Sequence, residues 1–355
     1  MEKCFVAVSG GVDSATALLL LKDQGYEVEG ITMIPFGSEL VPNATASEAE
    51  DAKKLCESLS VKHHTVDLSI QFRDKVIGDF IDSYAKGETP NPCVVCNRYL
   101  KFGALADYAF SLGAEQYATG HYVRVKQSGD RRVIVRASDP EKDQSYVLWS
   151  LTQEQVARFV APLGEYSKKE VREIAMQNGL GVASKGDSQD ICFIPDGDYR
   201  AFLNRIVGKT DKEGDFILKD GTGLGRHLGQ RCYTVGQRKG LGIAYKEPLY
   251  VIGRDMVKNT VILGRNDDLF TKNFYVRNAS FSALDFPSGP INCEVRIRYR
   301  SPFVKAKLTP VGEGKMLVET AEAVRAVTPG QSAVFYDSET LLGGGVIEGE
   351  KAISL

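Results

Sequence analysis

The chain lacks a surplus of charge of either sign, and it lacks any long apolar run. Its 44 Lys and Arg nearly balance its 46 Asp and Glu, so the net charge of −2 indicates no class of partner. No apolar stretch could cross a bilayer, and Met1-Glu2-Lys3 leaves no room for a signal peptide. Seven scattered cysteines, an odd number, do not resemble a secreted disulfide framework. We therefore expect a cytoplasmic protein without membrane association.

A glycine-rich segment near the N-terminus, Ser9–Ser14 (SGGVDS), lies between a predicted strand, Cys4–Val8, and a predicted helical run, Ala15–Leu21. At such a helix start, unpaired backbone N–H groups and a partial positive charge form an anion site. No lysine follows the glycines, which excludes the Gly-x-x-x-x-Gly-Lys-Ser/Thr loop. The segment resembles the loop of the PP-loop ATP pyrophosphatases, which split ATP between its α and β phosphates. The resemblance implies adenylation of a substrate.

The pattern of apolar runs divides the chain into three regions. Up to about residue 125, short apolar runs alternate with helical ones, which predicts an α/β fold with a doubly wound parallel sheet. Glycine-rich short runs after about residue 206 predict a small β-rich central domain, and later strands predict a C-terminal β-barrel or sandwich. We expect domains at 1–205, 206–270 and 271–355. Two further predictions are a helical stretch over Ser150–Gln177, broken at Pro162–Gly164, and a strand over Asn292–Tyr299.

A Cys-x-x-Cys pair, Cys93 and Cys96, follows two prolines and precedes the predicted helix Arg98–Leu112. A helix N-terminus stabilises a thiolate, which predicts a thiol pKa below the free value of roughly 8.5. The alternative is half of a structural zinc site, which needs two more ligands. The sequence has no second Cys-x-x-Cys pair, and its four histidines show no companion spacing, so we predict no structural zinc site.

Eight segments occur in one order: SGGVDS, TPNPCxxCNRxxKF, ATGHYxRV, KDQSYxL, DSQDICFIP, YTVGQRKGLGI, IRYRSP and PGQSAVFY. Together they closely resemble the tRNA-uridine 2-sulfurtransferases, or tRNA-specific 2-thiouridylases, over essentially the whole chain. The resemblance implies that ATP adenylates the 2-oxo group of the wobble uridine of tRNA. A persulfide sulfur on the enzyme then displaces AMP and gives 2-thiouridine. Two easier steps thus replace one difficult substitution.

The resemblance also implies a role for each matching residue. ATP, with Mg²⁺, would be held by Ala7, Val8, Ser9, Gly10, Gly11, Val12, Asp13, Ser14, Met33 and Gly120, with Asp13 a partner of the metal. The flipped uridine would face Asn91, Pro92 and Cys93. Other tRNA contacts would come from His121, Asp143, Gln144, Ser145, Arg298, Tyr299 and Gln331. Cys96 would be the nucleophilic thiol and Cys192 the persulfide carrier, and the two would close a transient disulfide after transfer.

Arginines in and directly before the segment IRYRSP are a second indication of RNA binding. Arg296, Arg298 and Arg300 alternate with other residues, so a strand would project the three guanidinium groups from one face. Such a row beside Tyr299 suits phosphates and stacked bases. The alternative is an ordinary solvated sheet face.

Cys93 stands where some members of the family carry Asp, which leaves the general acid or base unassigned. Cys93, Cys96 and Cys192 could instead hold a [4Fe–4S] cluster that delivers sulfide directly. We favour the persulfide route, because three thiols also serve as a relay.

Two rival functions come from other classes of protein. A PP-loop amidotransferase-type ligase needs an ammonia source, and no glutaminase half is evident in the sequence. A non-catalytic RNA-binding module has no need for Asp13, Cys96 and Cys192 together. We therefore expect a monomeric enzyme whose partners are tRNA and a sulfur-donor or sulfur-relay protein.

Overall fold

The computed structural model describes residues 1–37, 40, 46–181, 191–208 and 212–349. Its N-terminal part contains β1 (Lys3–Ala7), β2 (Glu27–Ile34), β3 (His63–Asp67), β4 (Gln116–Thr119), β5 (Val123–Ser128), β6 (Arg131–Arg136) and β7 (Phe159–Val160). Five of these strands form a parallel sheet in the order β3-β2-β1-β4-β7. Cys4, Phe5 and Val6 are fully buried in β1, as expected for a central strand covered on both faces. The predicted α/β architecture is confirmed.

Helices cover the two faces of this sheet. They comprise Val12–Asp23, Ala46–Ser58, the continuous succession Ser69–Phe72, Arg73–Ile77 and Gly78–Ala85, the succession Pro92–Cys96, Asn97–Leu105 and Ala106–Ser111, then Gln153–Ala157, Lys168–Gln177 and Tyr199–Val207. The helical stretch predicted from residue 150 to 177 is wrong in its middle, where β7 intervenes. At the break, a Cβ on Gly164 would lie 2.0 Å from the carbonyl oxygen of Val123, so the chain packs backbone to backbone there. No helix in the described ranges is long and apolar enough to cross a membrane.

The central region has a small sheet of its own. Its strands are β8 (Gly214–Leu218), β9 (Gly223–His227), β10 (Tyr250–Asp255) and β11 (Thr260–Gly264), in the order β10-β11-β8-β9. Phe216, Val251, Val261 and Leu263 are fully buried at its centre. The prediction of a β-rich central region is confirmed.

The C-terminal region is a closed antiparallel barrel. Its strands are β12 (Phe270–Phe281), β13 (Ile291–Arg296), β14 (Val304–Gly312), β15 (Lys315–Arg325), β16 (Ser332–Asp337) and β17 (Thr340–Ile347). They follow the order β12-β15-β14-β13-β16-β17, and the pairing of β12 with β17 closes the ring. The predicted barrel is confirmed.

The barrel and the N-terminal region share both a sheet and a core. The hairpin β5–β6 follows β4 of the parallel sheet in the chain but extends the barrel sheet, where Val135 pairs with Thr340. The single tryptophan, Trp149, donates its indole N–H to Ser332 Oγ at 2.9 Å, and the hydroxyl of Tyr146 donates to the Ser332 carbonyl, also at 2.9 Å. Buried polar groups satisfied in this way fix the barrel against the first region.

Candidate active site

The segment Ser9–Ser14, which we call the phosphate-type loop, lies at the carboxyl end of β1 and leads into the helix Val12–Asp23. Gly10 has φ +69°, and a Cβ there would lie 3.1 Å from the Glu48 carbonyl oxygen, so the turn requires glycine. The Ser9 N–H donates to Ser14 Oγ at 3.1 Å, which holds the loop against its helix. Gly11 is the N-cap and offers no side-chain acceptor to the first-turn N–H groups. These groups therefore face the position where an anion would bind.

Gly120 brings the end of β4 directly onto this loop. A Cβ at residue 120 would lie 2.8 Å from the Ser14 nitrogen and 2.9 Å from the Asp13 carbonyl carbon, so any other side chain would displace the backbone. Met33 is partly buried near the end of β2, on the other side of β1. The residues predicted to hold ATP thus lie at the carboxyl edge of three adjacent parallel strands, where α/β folds bind ligands. Their contact with ATP stays a prediction.

A lysine from a distant helix lies beside the loop. Lys168 Nζ is 2.7 Å and 2.8 Å from the two carboxylate oxygens of Asp13, and the Tyr122 hydroxyl donates to the same carboxylate at 2.6 Å. Lys168 is 155 residues away in the chain and begins a helix that Ser167 caps. Sequence reasoning noted that the loop has no lysine of its own and missed this one, because no local spacing links the two.

This arrangement bears on the predicted magnesium partner. The Asp13 carboxylate is occupied by an ammonium group and a phenol, and the described residues contain no group of three acidic, His or Cys side chains that could hold a metal ion. A magnesium ion bound through Asp13 and the phosphates of ATP would have to displace these two partners, and Asp13 as a partner of the metal stays a prediction.

The three cysteines of interest are all free thiols in this structure. Cys93 and Cys192 are exposed, whereas Cys96 is only 8% exposed. Desolvation raises the pKa of Cys96 to about 11, and it also raises the pKa of Cys93. Solvent reaches Cys192, yet enough protein surrounds it that desolvation, reinforced by Cys96 and Cys93, raises its pKa to about 12. The expected low thiol pKa is therefore wrong for this structure, because desolvation outweighs the stabilising charges.

One cation lies within electrostatic range of all three thiols. The ammonium group of Lys101 opposes the rise in the pKa of Cys93, Cys96 and Cys192. Lys101 is half-buried on Asn97–Leu105, a stretch of wide π-helical turns of the kind often found at functional sites. It has no ion-pair partner in the part of the chain that the structure describes. Sequence reasoning did not single it out, although it is the lysine of the segment TPNPCxxCNRxxKF.

His121 connects the phosphate-type loop with the thiols. It directly follows Gly120, is 8% exposed, and its Nδ1 is hydrogen-bonded to Thr119 Oγ1 at 2.6 Å. Desolvation, and then Lys101, lower its pKa well below the ordinary value, so the ring is neutral near pH 7. Its ring centroid lies 5.8 Å from that of Phe102, on the π-helical stretch Asn97–Leu105 that directly follows Cys96. The end of β4 and the start of the thiol-bearing helix therefore lie in one neighbourhood.

Asp143 and Ser145, both predicted to contact tRNA, are buried, as is His121. Asp143 accepts hydrogen bonds from the N–H groups of Ala137 and Ser145 and from the Ser145 hydroxyl, at 2.9 to 3.2 Å. Its carboxylate also lies 3.7 Å from Arg136 and 3.8 Å from Arg296. In this conformation neither Asp143 nor Ser145 presents its side chain at the surface. Between them, Gln144 accepts the Tyr122 N–H at 2.9 Å. An RNA contact by this segment stays a prediction.

The expected row of arginines is wrong, because β13 ends at Arg296. Backbone N–H groups of the next two residues donate to Ser301 Oγ at 3.1 and 3.2 Å, which turns the chain. The guanidinium of Arg298 donates to two backbone carbonyls at the end of β15, those of Arg325 and Ala326, each at 2.7 Å, and desolvation lowers its pKa. Tyr299 and Arg300 are exposed. An RNA contact by Arg298 or Tyr299 stays a prediction.

The segment before the thiols is held from the barrel. Gln331 Nε2 donates to the carbonyls of Thr89 and Pro90 at 2.9 and 3.2 Å. Asn91 is the N-cap of the short helix that buried Pro92 begins. Gln331, predicted to contact tRNA, thus contacts the loop that carries the proposed base-facing residues.

Three family models match the chain. They are described as a tRNA methyl transferase HUP domain over residues 2–196, a tRNA methyl transferase PRC-barrel domain over 200–265 and an aminomethyltransferase beta-barrel domain over 271–347. A tRNA-specific 2-thiouridylase MnmA 1 of Caldanaerobacter subterraneus is 46% identical, over 98% of both chains. A tRNA-specific 2-thiouridylase MnmA 2 of Clostridium botulinum is 42% identical, over 97% of this chain and 98% of that one.

A solved NMN synthetase of Francisella tularensis is similar to 58% of this chain and 77% of its own, with 16% identity. Its TM-score of 0.36 is too low to carry an argument.

We expect Lys101→Met to slow alkylation of the exposed thiol of Cys93. Removing the cation raises the thiol pKa further, so the thiolate fraction at a given pH falls, by about threefold to tenfold for a shift of up to one unit. The pH profile of iodoacetamide labelling, read at the Cys93 peptide by mass spectrometry, should move to higher pH. Lys126→Met, an exposed lysine on β5, is the matched control and should leave the profile in place. Identical profiles for both variants would contradict the role of Lys101.

Proposed function

Since this chain belongs to the tRNA-specific 2-thiouridylase family and is a sulfurtransferase that thiolates tRNA, we propose that it modifies the wobble uridine in two steps. ATP first adenylates the 2-oxo group, and a Cys192 persulfide then supplies the sulfur, with Cys96 as the partner thiol. The observation that carries this proposal is the close approach of Gly120 to the phosphate-type loop. It joins that loop, through His121 and Lys101, to the neighbourhood of all three thiols.

In the first step, the uridine O2 attacks the α-phosphorus of ATP. The bond from O2 to phosphorus forms, the bond to the β-phosphate oxygen breaks, and pyrophosphate leaves. The uncapped N–H groups at the start of Val12–Asp23 suit the phosphates, as helix N-termini generally do. Lys168, held at 2.7 Å by Asp13, supports the proposal because it adds the positive charge that the loop lacks. Such preorganised charge stabilises the charge that develops in the transition state.

In the second step, the terminal sulfur of the Cys192 persulfide attacks C2 of the adenylated base. A carbon–sulfur bond forms, and AMP leaves with the former uridine oxygen. The Cys96 thiolate then attacks Cys192 Sγ, which breaks the sulfur–sulfur bond, releases 2-thiouridine and leaves a Cys96–Cys192 disulfide. A thiol reductant restores both cysteines. A pKa of about 11 keeps Cys96 protonated before this step, and the ammonium group of Lys101 favours its thiolate.

The alternative with a [4Fe–4S] cluster finds less support. A cluster would use the same three free thiols, Cys93, Cys96 and Cys192, and would deliver sulfide directly. We prefer the persulfide route, because three thiols also serve as a relay. The alternative function, a PP-loop amidotransferase-type ligase, gives the three thiols no role in the reaction.

We expect Cys192→Ser and Cys96→Ser to abolish 2-thiouridine formation while sparing ATP-dependent adenylation, because only the sulfur chemistry needs these atoms. The assay follows tRNA nucleosides by mass spectrometry and the consumption of ATP labelled at the α-phosphate. Cys232→Ser, in the central region, is the control and should keep full thiolation. Thiolation that persists in Cys192→Ser would contradict the persulfide route, and an absence of both 2-thiouridine and AMP in the unmodified enzyme would eliminate the proposed function.

We expect Lys168→Met to slow AMP formation by roughly 10²-fold, the typical cost of one preorganised electrostatic group. Lys169→Met is a closely matched control, since the neighbouring side chain is 86% exposed. The measurement is the single-turnover rate of α-labelled AMP formation with saturating tRNA. Equal rates for the two variants would show that Lys168 has no part in the first step.

A further inference from the structure

The segment Gly87–Pro90, which leads into the thiol-bearing helix, is held by an ion pair from the barrel. Arg277 on β12 donates from both terminal nitrogens to the two carboxylate oxygens of Glu88, at 2.9 and 2.7 Å. The two side chains are only 29% and 14% exposed. Bidentate pairs of this kind fix orientation as well as distance. An ion pair joining the two regions here therefore sets the position of residue 88.

The barrel also forms hydrogen bonds with the backbone of the next residue, Thr89. The N–H of Thr89 donates to the Pro329 carbonyl at 2.8 Å, and its own carbonyl accepts from Gln331 at 2.9 Å. Gly330 has φ +88°, and a Cβ there would lie 2.8 Å from the Thr89 nitrogen, so the barrel turn packs against the segment without a side chain between them. Both backbone polar groups of Thr89 are thus satisfied by one barrel turn.

The central region holds the start of the same segment. The Arg254 guanidinium on β10 donates to the Gly87 carbonyl. The side chain of Met256 lies against Gly87, where an added Cβ would be 2.7 Å from the methionine sulfur. The segment therefore takes its position from both of the other regions, and the parallel sheet alone does not determine it.

We propose that these contacts, which we name the loop clamp (Arg277–Glu88, Gln331–Thr89 and Arg254–Gly87), position Cys93 and Cys96 for sulfur transfer when tRNA docks. The proposal rests on the proposed function. Arg277, Glu88 and Gln331 are positioning residues, because they act through the loop. Pro90 and Pro92 fix φ on either side of Asn91, so the clamped end and the thiols are joined by a stiff connection.

The chemistry explains why such a clamp matters. The clamped segment leads directly to Asn91 and Cys93, the proposed base-facing residues, and so sets where C2 of the base lies. The persulfide sulfur of Cys192 must reach C2 at about 3 to 3.5 Å, and a misplacement of 1 Å can cost about 10²-fold in rate. Adenylation depends on the phosphate-type loop, which the clamp does not touch. When the clamp is weakened, sulfur transfer to the adenylated uridine slows, and attack by water competes with it. Hydrolysis releases AMP and restores uridine.

The test compares Arg277→Gln and Glu88→Gln with the charge-exchanged double variant Arg277→Glu/Glu88→Arg. We expect each single variant to lower kcat for 2-thiouridine by about tenfold or more while KM for tRNA stays within about twofold. The ratio of AMP to 2-thiouridine should rise from one to several. The double variant should recover part of kcat for 2-thiouridine and bring the ratio of AMP to 2-thiouridine back towards one. Arg131→Gln, which breaks the ion pair between the hairpin β5–β6 and Asp285 in the barrel, is the control and should leave the ratio at one.

A second readout does not depend on activity. Hydrogen–deuterium exchange of residues 88–96 should slow when tRNA binds the unmodified enzyme and should not slow in Arg277→Gln. A ratio that stays at one while thiolation and thermal stability fall in parallel would overturn the clamp, as would equal tRNA protection in both proteins. If the unmodified enzyme makes no 2-thiouridine, the proposed function fails, and the exchange data still decide whether the segment responds to tRNA through Arg277.

Discussion

The close approach of two backbones at one edge of the parallel sheet determines where the chemistry can occur. A Cβ at Gly120 would lie 2.8 Å from the Ser14 nitrogen, so the end of β4 touches the first turn of the helix after the phosphate-type loop. His121 comes next, and its ring centroid lies 5.8 Å from that of Phe102 on Asn97–Leu105, the stretch that directly follows Cys96, so the end of β4 and the thiol-bearing helix lie in one neighbourhood. In the proposed mechanism, activation by ATP and transfer of sulfur then act on one base without moving it between distant sites.

Two lysines supply positive charge at the opposite ends of this neighbourhood. Lys168 brings an ammonium group to Asp13, where the phosphates of ATP would be. The ammonium group of Lys101 acts to lower the pKa of Cys93, Cys96 and Cys192. Desolvation of the thiols has the opposite effect to Lys101, and it prevails, since the pKa of Cys96 rises to about 11. Such a thiol is protected from casual oxidation, because oxidation requires the thiolate. In the proposed mechanism, Cys96 reacts only once the substrate and the Cys192 persulfide are in place.

Sequence patterns predicted what depends on local order, and failed where distant segments meet. The periodicity of apolar residues was sufficient to predict the parallel sheet and the barrel, and the motif SGGVDS was sufficient to predict the loop between β1 and its helix. Lys168 could not be found, because the 155 residues between it and Asp13 carry no spacing rule. The strand beyond Arg296 ended early, because Ser301 accepts the N–H groups that would continue it. Burial of Asp143 against the barrel likewise depends on a hairpin that joins another region's sheet.

The central claim is that the 2-oxo group of uridine becomes part of AMP, and an oxygen label tests it most directly. Transfer RNA carrying ¹⁸O at O2 of the wobble uridine is incubated with the enzyme, unlabelled ATP and a persulfide donor. Mass spectrometry then locates the label. The account predicts one ¹⁸O in AMP for every 2-thiouridine formed and none in pyrophosphate. Unlabelled AMP accompanying full thiolation would contradict it.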